Sequence, residues 1–326
     1  MLRRKTVFLG CLLLALSIMV TLSGIGADKL RFAMVTDIGG LGDQSFNDSA
    51  YDGLKMLQKE YGAEIQVLES KKAEDYVPNL KSLAEQGFDM IWAIGFLMQD
   101  ALTKVAGDYP NVKFGIIDAV VDKPNVTSVC FKEEEGSFLV GVIAGKTTKT
   151  KIIGFVGGMQ FPLIEKFQAG FEAGVKAVNA KAMVLVNYVG SFADPTKGKE
   201  TALTQFGLGA DIVYHAAGDT GTGVIEAAKE KKKWAIGVDK DQHHLAPKNV
   251  LACMIKRVDV GVFSGTKAVR EGKGGGVMTL GLKEDGVGVC KSAAKTVKTA
   301  VLKLVEKYKK DIIDGKLAVP TVPVKK

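Results

Sequence analysis

The sequence predicts an α/β protein with two similar lobes, each a parallel β-sheet covered by helices on both faces. Short Val- and Ile-rich segments alternate with longer amphipathic segments, and the first half of this pattern recurs in the second. Continuous apolar strands separated by helices are typical of parallel sheets buried on both faces. The 326 residues suffice for two hydrophobic cores, and 47% hydrophobic with 25% charged residues excludes the collagenous and disordered classes.

Several segments of the first half return in the second, in the same order and at a nearly constant offset. Gly-Phe-Asp at 87–89 leads into an apolar strand and corresponds to Gly-Ala-Asp at 209–211. The strand that ends at Asp118 corresponds to the one that ends at Asp239. Such matches indicate two copies of one supersecondary unit. No Pro- or Ser-rich linker separates the copies, so we expect closely coupled lobes.

The apolar periodicity also places the helices. It predicts helices at 46–61, 76–86 and 98–107 in the first half and at 163–178, 196–207 and 221–231 in the second. The chain after residue 258 departs from the repeat. There the pattern predicts a helix near 258–271, a strand through 277–290 and a long helix from 293 to about 313.

Residues 1–27 have the features of a cleaved secretory signal peptide. Arg3, Arg4 and Lys5 precede an apolar run at 7–20, and small and polar residues follow it. As a helix this run spans only ~21 Å, less than the ~30 Å hydrocarbon core of a bilayer. We therefore expect an exported, periplasmic protein, with an uncleaved membrane anchor as the alternative. No cysteine ends the apolar run, so we do not expect a lipid anchor.

The charge and the cysteines narrow the function classes. The net charge of +8 is spread along the chain rather than clustered beside aromatic residues, so no nucleic-acid partner is expected. Cys130, Cys253 and Cys290 have spacings that fit no metal motif, and whether two of them pair stays open. The sequence contains no P-loop, no dinucleotide fingerprint and no nucleophile motif. We expect no cofactor, no metal and no enzymatic activity.

Polar and glycine residues follow the predicted strands at the edge where parallel α/β sheets bind ligands. Asp118 and Asp239 end equivalent strands of the two halves, and their carboxylates can accept hydrogen bonds from the vicinal hydroxyls of a sugar. Asp37 and Gly218 end two further strands. The alternative is that each aspartate only caps the following turn or helix.

Two aromatic residues lie in strand-to-helix loops, one in each half. Phe46 follows a Gly-rich loop beside Asn47, and Phe192 lies in the loop before Pro195. If the two lobes face each other, these rings can sandwich a planar ligand. The alternative is that each ring only fills a core.

The chain resembles a known family, the basic membrane protein family. Its members are purine-nucleoside-receptor-like substrate-binding proteins of ABC transporters. The segments that carry the resemblance are 37–47, 190–199, 237–242, 254–259 and 280–288. It implies a type I periplasmic-binding-protein fold, with two doubly wound parallel-sheet lobes and a ligand cleft between them. Lobe 1 is then expected at 28–131 plus about 259–282, and lobe 2 at 132–258 plus about 283–326.

The resemblance also implies roles for individual residues. Phe46 and Phe192 would stack on a purine base, and Asp37 and Asn47 would bind its edge. The ribose would be held by Asp118, Gly218, Asp239 and Lys256. Two positions depart from the family pattern, since Asp219 and Lys240 stand where Gly and Ser are expected.

The sequence therefore predicts an exported substrate-binding protein that delivers a purine nucleoside of the inosine, guanosine or adenosine type to an ABC transporter permease. We expect a monomer. One alternative is the same fold binding another small solute, such as a sugar, for transport or sensing. A nucleoside-processing enzyme is the other.

Overall fold

Two six-stranded β-sheets organise the chain, whose residues 29–324 are described by a computed structural model. The predicted signal peptide, 1–27, lies outside the described residues. The first sheet contains β1 (Arg31–Val35), β2 (Glu64–Leu68), β3 (Met90–Ile94), β4 (Phe114–Ile117), β5 (Val126–Phe131) and β11 (Gly276–Leu280). The second contains β6 (Ile152–Gly157), β7 (Met183–Tyr188), β8 (Ile212–Ala216), β9 (Trp234–Asp239), β10 (Val250–Lys256) and β12 (Val287–Val289).

The two sheets have the same topology, as the internal repeat requires. Their orders are β11-β5-β4-β3-β1-β2 and β12-β10-β9-β8-β6-β7. The strands of the first sheet pair in parallel, and in the second only the short edge strand β12 runs antiparallel to its neighbour. The fold class predicted from the sequence, two α/β lobes with parallel sheets, is confirmed.

Nine α-helices cover the described part of these sheets. They are α1 (Phe46–Tyr61), α2 (Tyr76–Glu85), α3 (Gln99–Asp108), α4 (Glu133–Thr147), α5 (Pro162–Val178), α6 (Pro195–Gly207), α7 (Thr220–Lys231), α8 (Val258–Arg270) and α9 (Thr299–Ile313). The six helices predicted in the two repeats agree with the structure to within one residue at each end. Their clear apolar stripes explain this agreement.

The sequence prediction missed α4, because this helix is buried on almost every side and has no apolar stripe to detect. It packs along α5 through glycines of both helices. A Cβ atom on Gly141 would lie 2.4 Å from the carbonyl oxygen of Phe171, and one on Gly174 would lie 2.1 Å from that of Phe138. The glycines therefore allow α4, which follows β5, to pack closely on α5 of the second lobe.

Two predictions in the last segment are wrong. The strand expected through 277–290 is two strands: β11 extends the first sheet beside β5, and β12 extends the second beside β10. The polar turn between them carries the chain from one sheet to the other, and Asp285 adopts a positive φ of 54° there. The helix expected from residue 293 begins at Thr299, after a separate 3₁₀ turn at Lys291–Lys295.

Candidate ligand-binding site

The carboxyl ends of the two sheets face each other across a cavity of about 550 Å³, including its open mouth. Residues of both lobes line the cavity, so a ligand there would contact both at once. All eight residues singled out from the sequence are among them: Asp37, Phe46, Asn47, Asp118, Phe192, Gly218, Asp239 and Lys256.

Asp118 and Asp239 occupy equivalent places at the ends of β4 and β9, and both adopt the left-handed backbone conformation. Their φ angles are 69° and 63°. This conformation is uncommon for residues other than glycine, and aspartate tolerates it better than most. The turn directs each side chain into the cavity at the point where its strand ends. Asp239 also accepts a hydrogen bond from the hydroxyl of Ser45, which belongs to the opposite lobe.

Lys256 is the most deeply buried cation of the site, with 1% of its surface exposed. Its Nζ donates a hydrogen bond of 2.6 Å to Asp118 Oδ2 and lies 3.0 Å from Glu133 Oε1. The ammonium group also lies over the ring of Phe46, 5.3 Å from its centroid. Burial opposes the charge, yet Asp118, Glu133 and Asp239 together raise the pKa of Lys256 above its usual value.

Glu133 was missed by the sequence analysis, although it is fully buried against Lys256. It begins α4, and three consecutive glutamates at that helix start look like ordinary charges at a helix N-terminus. Glu133 lies beneath the cavity only because the chain passes from the first lobe to the second directly after β5. Its second oxygen pairs with Lys166 at 3.4 Å.

The buried site carries more negative than positive charge. Asp37, Asp118 and Asp239 line the cavity together with Lys256, and Glu133 lies behind it. Burial raises the pKa of Asp118 to about 7 against the lowering effect of Lys256. Burial likewise raises the pKa values of Asp37 and Asp239. The cavity therefore suits a neutral ligand that donates hydrogen bonds.

A second polar group, formed by Asp37, Asp43 and Asn47, lies at the start of α1. The Asn47 side-chain amide donates to Asp37 Oδ1 at 2.7 Å and to Asp43 Oδ2 at 3.1 Å, which fixes its orientation. Asp43 also accepts from the backbone N–H groups of Ser45, Asn47 and Asp48. Asp43 is thus a positioning residue that the sequence analysis did not single out. Asp37 Oδ2 lies beside Gly95, where a Cβ would be 3.5 Å from it, and both residues line the cavity.

Aromatic rings from both lobes form the apolar part of the cavity. Phe192 is 9% exposed and lies against Gly158, where a Cβ would come within 2.3 Å of the ring. Its ring packs edge-on against Phe96 of the opposite lobe at a centroid distance of 6.2 Å. Phe96 in turn contacts Phe161 at 5.0 Å. Phe96 and Phe167 also line the cavity, and neither was singled out from the sequence.

The two positions at which the resemblance led us to expect Gly and Ser have different surroundings. Asp219 lines the cavity at the start of α7, next to Gly218, whose φ is 56°. Lys240 is absent from the lining residues described, and its Nζ instead donates to Asp52 Oδ2 of the opposite lobe at 2.6 Å. Asp219 is therefore part of the cavity itself, whereas Lys240 forms a bond between the lobes.

Comparison with known proteins agrees with this geometry. Residues 31–322 match the family model described as ABC transporter substrate-binding protein PnrA-like. The chain belongs to this family. It is 40% identical over 324 residues to the ABC transporter nucleoside-binding protein BmpA of Lactococcus lactis, covering 92% of this chain and 91% of that protein. It is 41% identical over 315 residues to the CD4+ T-cell-stimulating antigen of Listeria monocytogenes, covering 89% and 88%.

A solved structure supports the same family relationship and shows which architecture the chain shares with it. An ABC transporter solute-binding protein from Aeropyrum pernix K1 superposes with a TM-score of 0.83 at 31% identity, covering 91% of this chain and 94% of that one. The two lobes thus have the type I solute-binding-protein architecture. Among residues 29–324, none of the helices combines the length and apolar character needed to cross a bilayer.

Proposed function

We propose that this PnrA-like protein is the exported substrate-binding component of an ABC importer and that its ligand is a purine nucleoside. The observation that carries the proposal is the composition of one interlobe cavity. It combines aromatic rings with buried carboxylates and a buried ammonium group, and each lobe contributes to it. In this proposal the lobes that close on the ligand are 28–131 with about 259–282, and 132–258 with about 283–326.

The ribose is assigned to the end of the cavity that holds Asp118, Asp239 and Lys256, with Gly218 beside it. Asp118 Oδ1 is buried and has no hydrogen-bond partner among the described residues. A vicinal diol supplies the donor that this oxygen lacks and a further donor to the Asp239 carboxylate, which already accepts from Ser45. A ligand without those hydroxyls would leave a buried acceptor unpaired, which costs about 1–3 kcal/mol.

The base is assigned to the aromatic end, between Phe46 and Phe192. Aromatic rings stack with a gain of about 0.5–1.5 kcal/mol beyond the burial of area. Asp37 and Asn47 are assigned to the polar atoms on the edge of the base. A free sugar would leave these rings and this polar group unused, so the cavity favours a nucleoside over the sugar alternative.

Charge favours a nucleoside over a nucleotide. A phosphate group would enter a cavity whose carboxylates outnumber its one buried ammonium group. Helix N-termini can bind phosphate through free N–H groups. At the start of α7, however, Asp219 would repel the phosphate, and burial raises the pKa of Asp219 because its charge is already unfavourable there.

Binding rather than catalysis is the activity that the cavity supports. Its carboxylates could transfer protons, but the lining, within the described residues, contains no serine, cysteine or histidine beside them to act as a nucleophile. We therefore propose that the protein is not an enzyme. Release of free base during incubation with a nucleoside would contradict this part of the proposal.

Transport follows from lobe closure. A hydrogen bond from Ser45 to Asp239 and an ion pair between Asp52 and Lys240 join the lobes, and we propose that this arrangement is the closed form. A ligand that contacts both lobes stabilises this arrangement, and the closed monomer would then dock on the permease outside the cytoplasmic membrane. The predicted signal peptide at 1–27 would direct it there, without a lipid anchor.

The test is a thermal-shift screen of the refolded protein against nucleosides, free bases, sugars and nucleoside monophosphates. Refolding removes carried-over ligand, and a compound that binds only the folded state raises Tm. We expect shifts with inosine, guanosine or adenosine and none with ribose. Shifts confined to sugars would keep the fold and overturn the nucleoside assignment.

Variants then test the site. Phe46→Ala and Asp239→Ala should each weaken nucleoside binding at least tenfold while the protein stays folded. Phe263→Ala is the matched control, because Phe263 is half-buried on α8 and is absent from the cavity lining described. Unchanged affinity in both site variants would refute the site assignment.

A further inference from the structure

A pair of thiols lies behind the ligand site, on the second sheet. Cys253 is in β10, three residues before Lys256, and Cys290 directly follows β12. Both are buried free thiols, with 0% and 5% of their surfaces exposed. Their sulfur atoms and a carboxylate oxygen of Asp241 all lie within 4.8 Å of one another.

The strand register places these two cysteines directly opposite each other. In the antiparallel ladder of β10 and β12, Met254 pairs with Val289, so the next position outward pairs Cys253 with Cys290. The Cys290 N–H donates to the Cys253 carbonyl at 3.0 Å, which continues the ladder. Opposed residues in such ladders have Cα atoms ~4.5–5.5 Å apart, within the ~4.4–6.8 Å that a disulfide spans.

We propose that Cys253 and Cys290 are a redox-active pair that forms a reversible cross-strand disulfide when the protein meets a small or protein disulfide oxidant. The Cys290 thiolate attacks one sulfur of the oxidant RSSR, which forms a mixed disulfide and releases RS⁻. Cys253 then loses its proton and attacks the Cys290 sulfur, which releases the second RS⁻. Both thiols are oxidised and RSSR is reduced to two RSH.

The surroundings distinguish the two thiols and assign Cys290 as the attacking group. The backbone N–H of Cys253 donates to the Cys290 sulfur at 3.0 Å, and the Ser292 hydroxyl lies 3.2 Å from it. The hydrogen bond from the Cys253 thiol lowers the pKa of Cys290 to about 7, whereas burial raises that of Cys253. A thiolate near neutral pH is the reactive form.

Access to the pair comes from its place at the sheet edge. β12 has three residues and is the outermost strand of the second sheet. Short edge strands open at low free energy, so Cys290 can reach a small oxidant without global unfolding. Cys130 lies in the other sheet, on β5. It is therefore not a competing partner within the folded chain.

The disulfide would close a loop that contains α8 and β11, the segments that pass from the second lobe to the first and back. Closing this loop restricts the unfolded chain and stabilises the fold. We expect Tm of the oxidised protein to exceed that of the reduced protein by about 5 °C. This inference is independent of the ligand.

The experiment equilibrates the full chain in glutathione buffers of increasing oxidised fraction, followed by alkylation under denaturing conditions and peptide mapping. Wild-type protein should lose two thiols together, with the peptides of Cys253 and Cys290 joined, and dithiothreitol should restore both. Cys130→Ser is the matched control and should behave like the wild type. Cys253→Ser should instead take one glutathione on Cys290, and Cys290→Ser should keep Cys253 as a thiol.

Mapping of the wild-type chain requires no variant, so the test holds even if a serine variant fails to fold. The proposal is wrong if both thiols stay alkylatable in fully oxidised buffer, or if Cys130 is the partner of either. It is also wrong if the thiols are blocked by a co-purified metal ion that a chelator removes.

Discussion

If the proposed ribose assignment is right, nucleoside affinity should fall as the pH drops below 7, because a ribose hydroxyl would then donate to Oδ1 of the Asp118 carboxylate. Burial raises the pKa of this group to about 7 in the ligand-free protein. Below that pH the carboxyl group holds a proton that must leave before both of its oxygens can act as acceptors, one for Lys256 and one for the ribose hydroxyl. Binding therefore favours the ionised form, and the pKa of Asp118 is lower in the complex.

The size of the effect follows from this difference. Each pH unit below the ligand-free pKa of about 7 lowers the affinity about tenfold, or about 1.4 kcal/mol, until the pKa of the complex is reached. Between pH 8 and pH 5, Kd should therefore rise about 100-fold. Above pH 8 it should be constant with respect to this group.

Isothermal titration calorimetry from pH 5 to pH 8 measures both the affinity and the protons released. Titrations in buffers of different ionisation enthalpy should show about one proton released per ligand at pH 6. Asp118→Asn should bind more weakly at pH 8 and lose this pH dependence. Asp122→Asn, an exposed carboxylate on the following loop, is the matched control and should keep the wild-type profile. A flat wild-type profile, or an unchanged slope in Asp118→Asn, would refute the reasoning.

Three further predictions concern ring stacking, lobe closure and acid stability. Phe192→Ala should raise Kd at least tenfold by calorimetry, because stacking worth about 0.5–1.5 kcal/mol is lost together with buried area. Lys240→Ser removes the ion pair with Asp52 and should raise Kd by up to about fivefold, since such partly exposed pairs contribute about 0.2–1 kcal/mol. Burial lowers the pKa of His215 to about 4, so its neutral form stabilises the fold above pH 6.5, and this stability is lost as the pH falls through 4. Urea titrations measure the free energy of unfolding at each pH. Between pH 7 and pH 4, this free energy should fall by about 3 kcal/mol less in His215→Gln than in the wild type.

Each of these has a distinct contradicting result. An unchanged Kd in Phe192→Ala would remove the ring from the ligand site. If 1 M salt weakens ligand binding by Lys240→Ser as much as it weakens binding by the wild type, the ion pair with Asp52 does not contribute to lobe closure. If the free energy of unfolding falls equally in the wild type and in His215→Gln as the pH is lowered, groups other than His215 determine the stability in acid.

The fold was predictable wherever local pattern and global structure agree. The helices of the two repeats are amphipathic, and α1 was predicted to the residue at 46–61. The pattern failed at α4, whose burial on nearly all sides removes the apolar periodicity. It failed again at 277–290, because an apolar run does not show which sheet edge each part extends.

The candidate site was predictable in part. The repeat identified Asp118 and Asp239 as an equivalent pair, and the resemblance to the family added Lys256. Glu133 and Phe96 escaped because a glutamate at a helix start and a phenylalanine in an apolar segment have ordinary structural explanations. Their roles depend on which side chains the two lobes bring together.

The sequence by itself determined the α/β class, the duplication and the family of this protein, because these depend on periodicity and on residues close together in the chain. The tertiary structure decided the partners across the cleft. Asp118 meets Lys256, Asp52 meets Lys240 and Cys253 lies opposite Cys290. These contacts join residues far apart in the chain, and the pKa values of Asp118 and Cys253 are raised only because the folded chain buries them away from water.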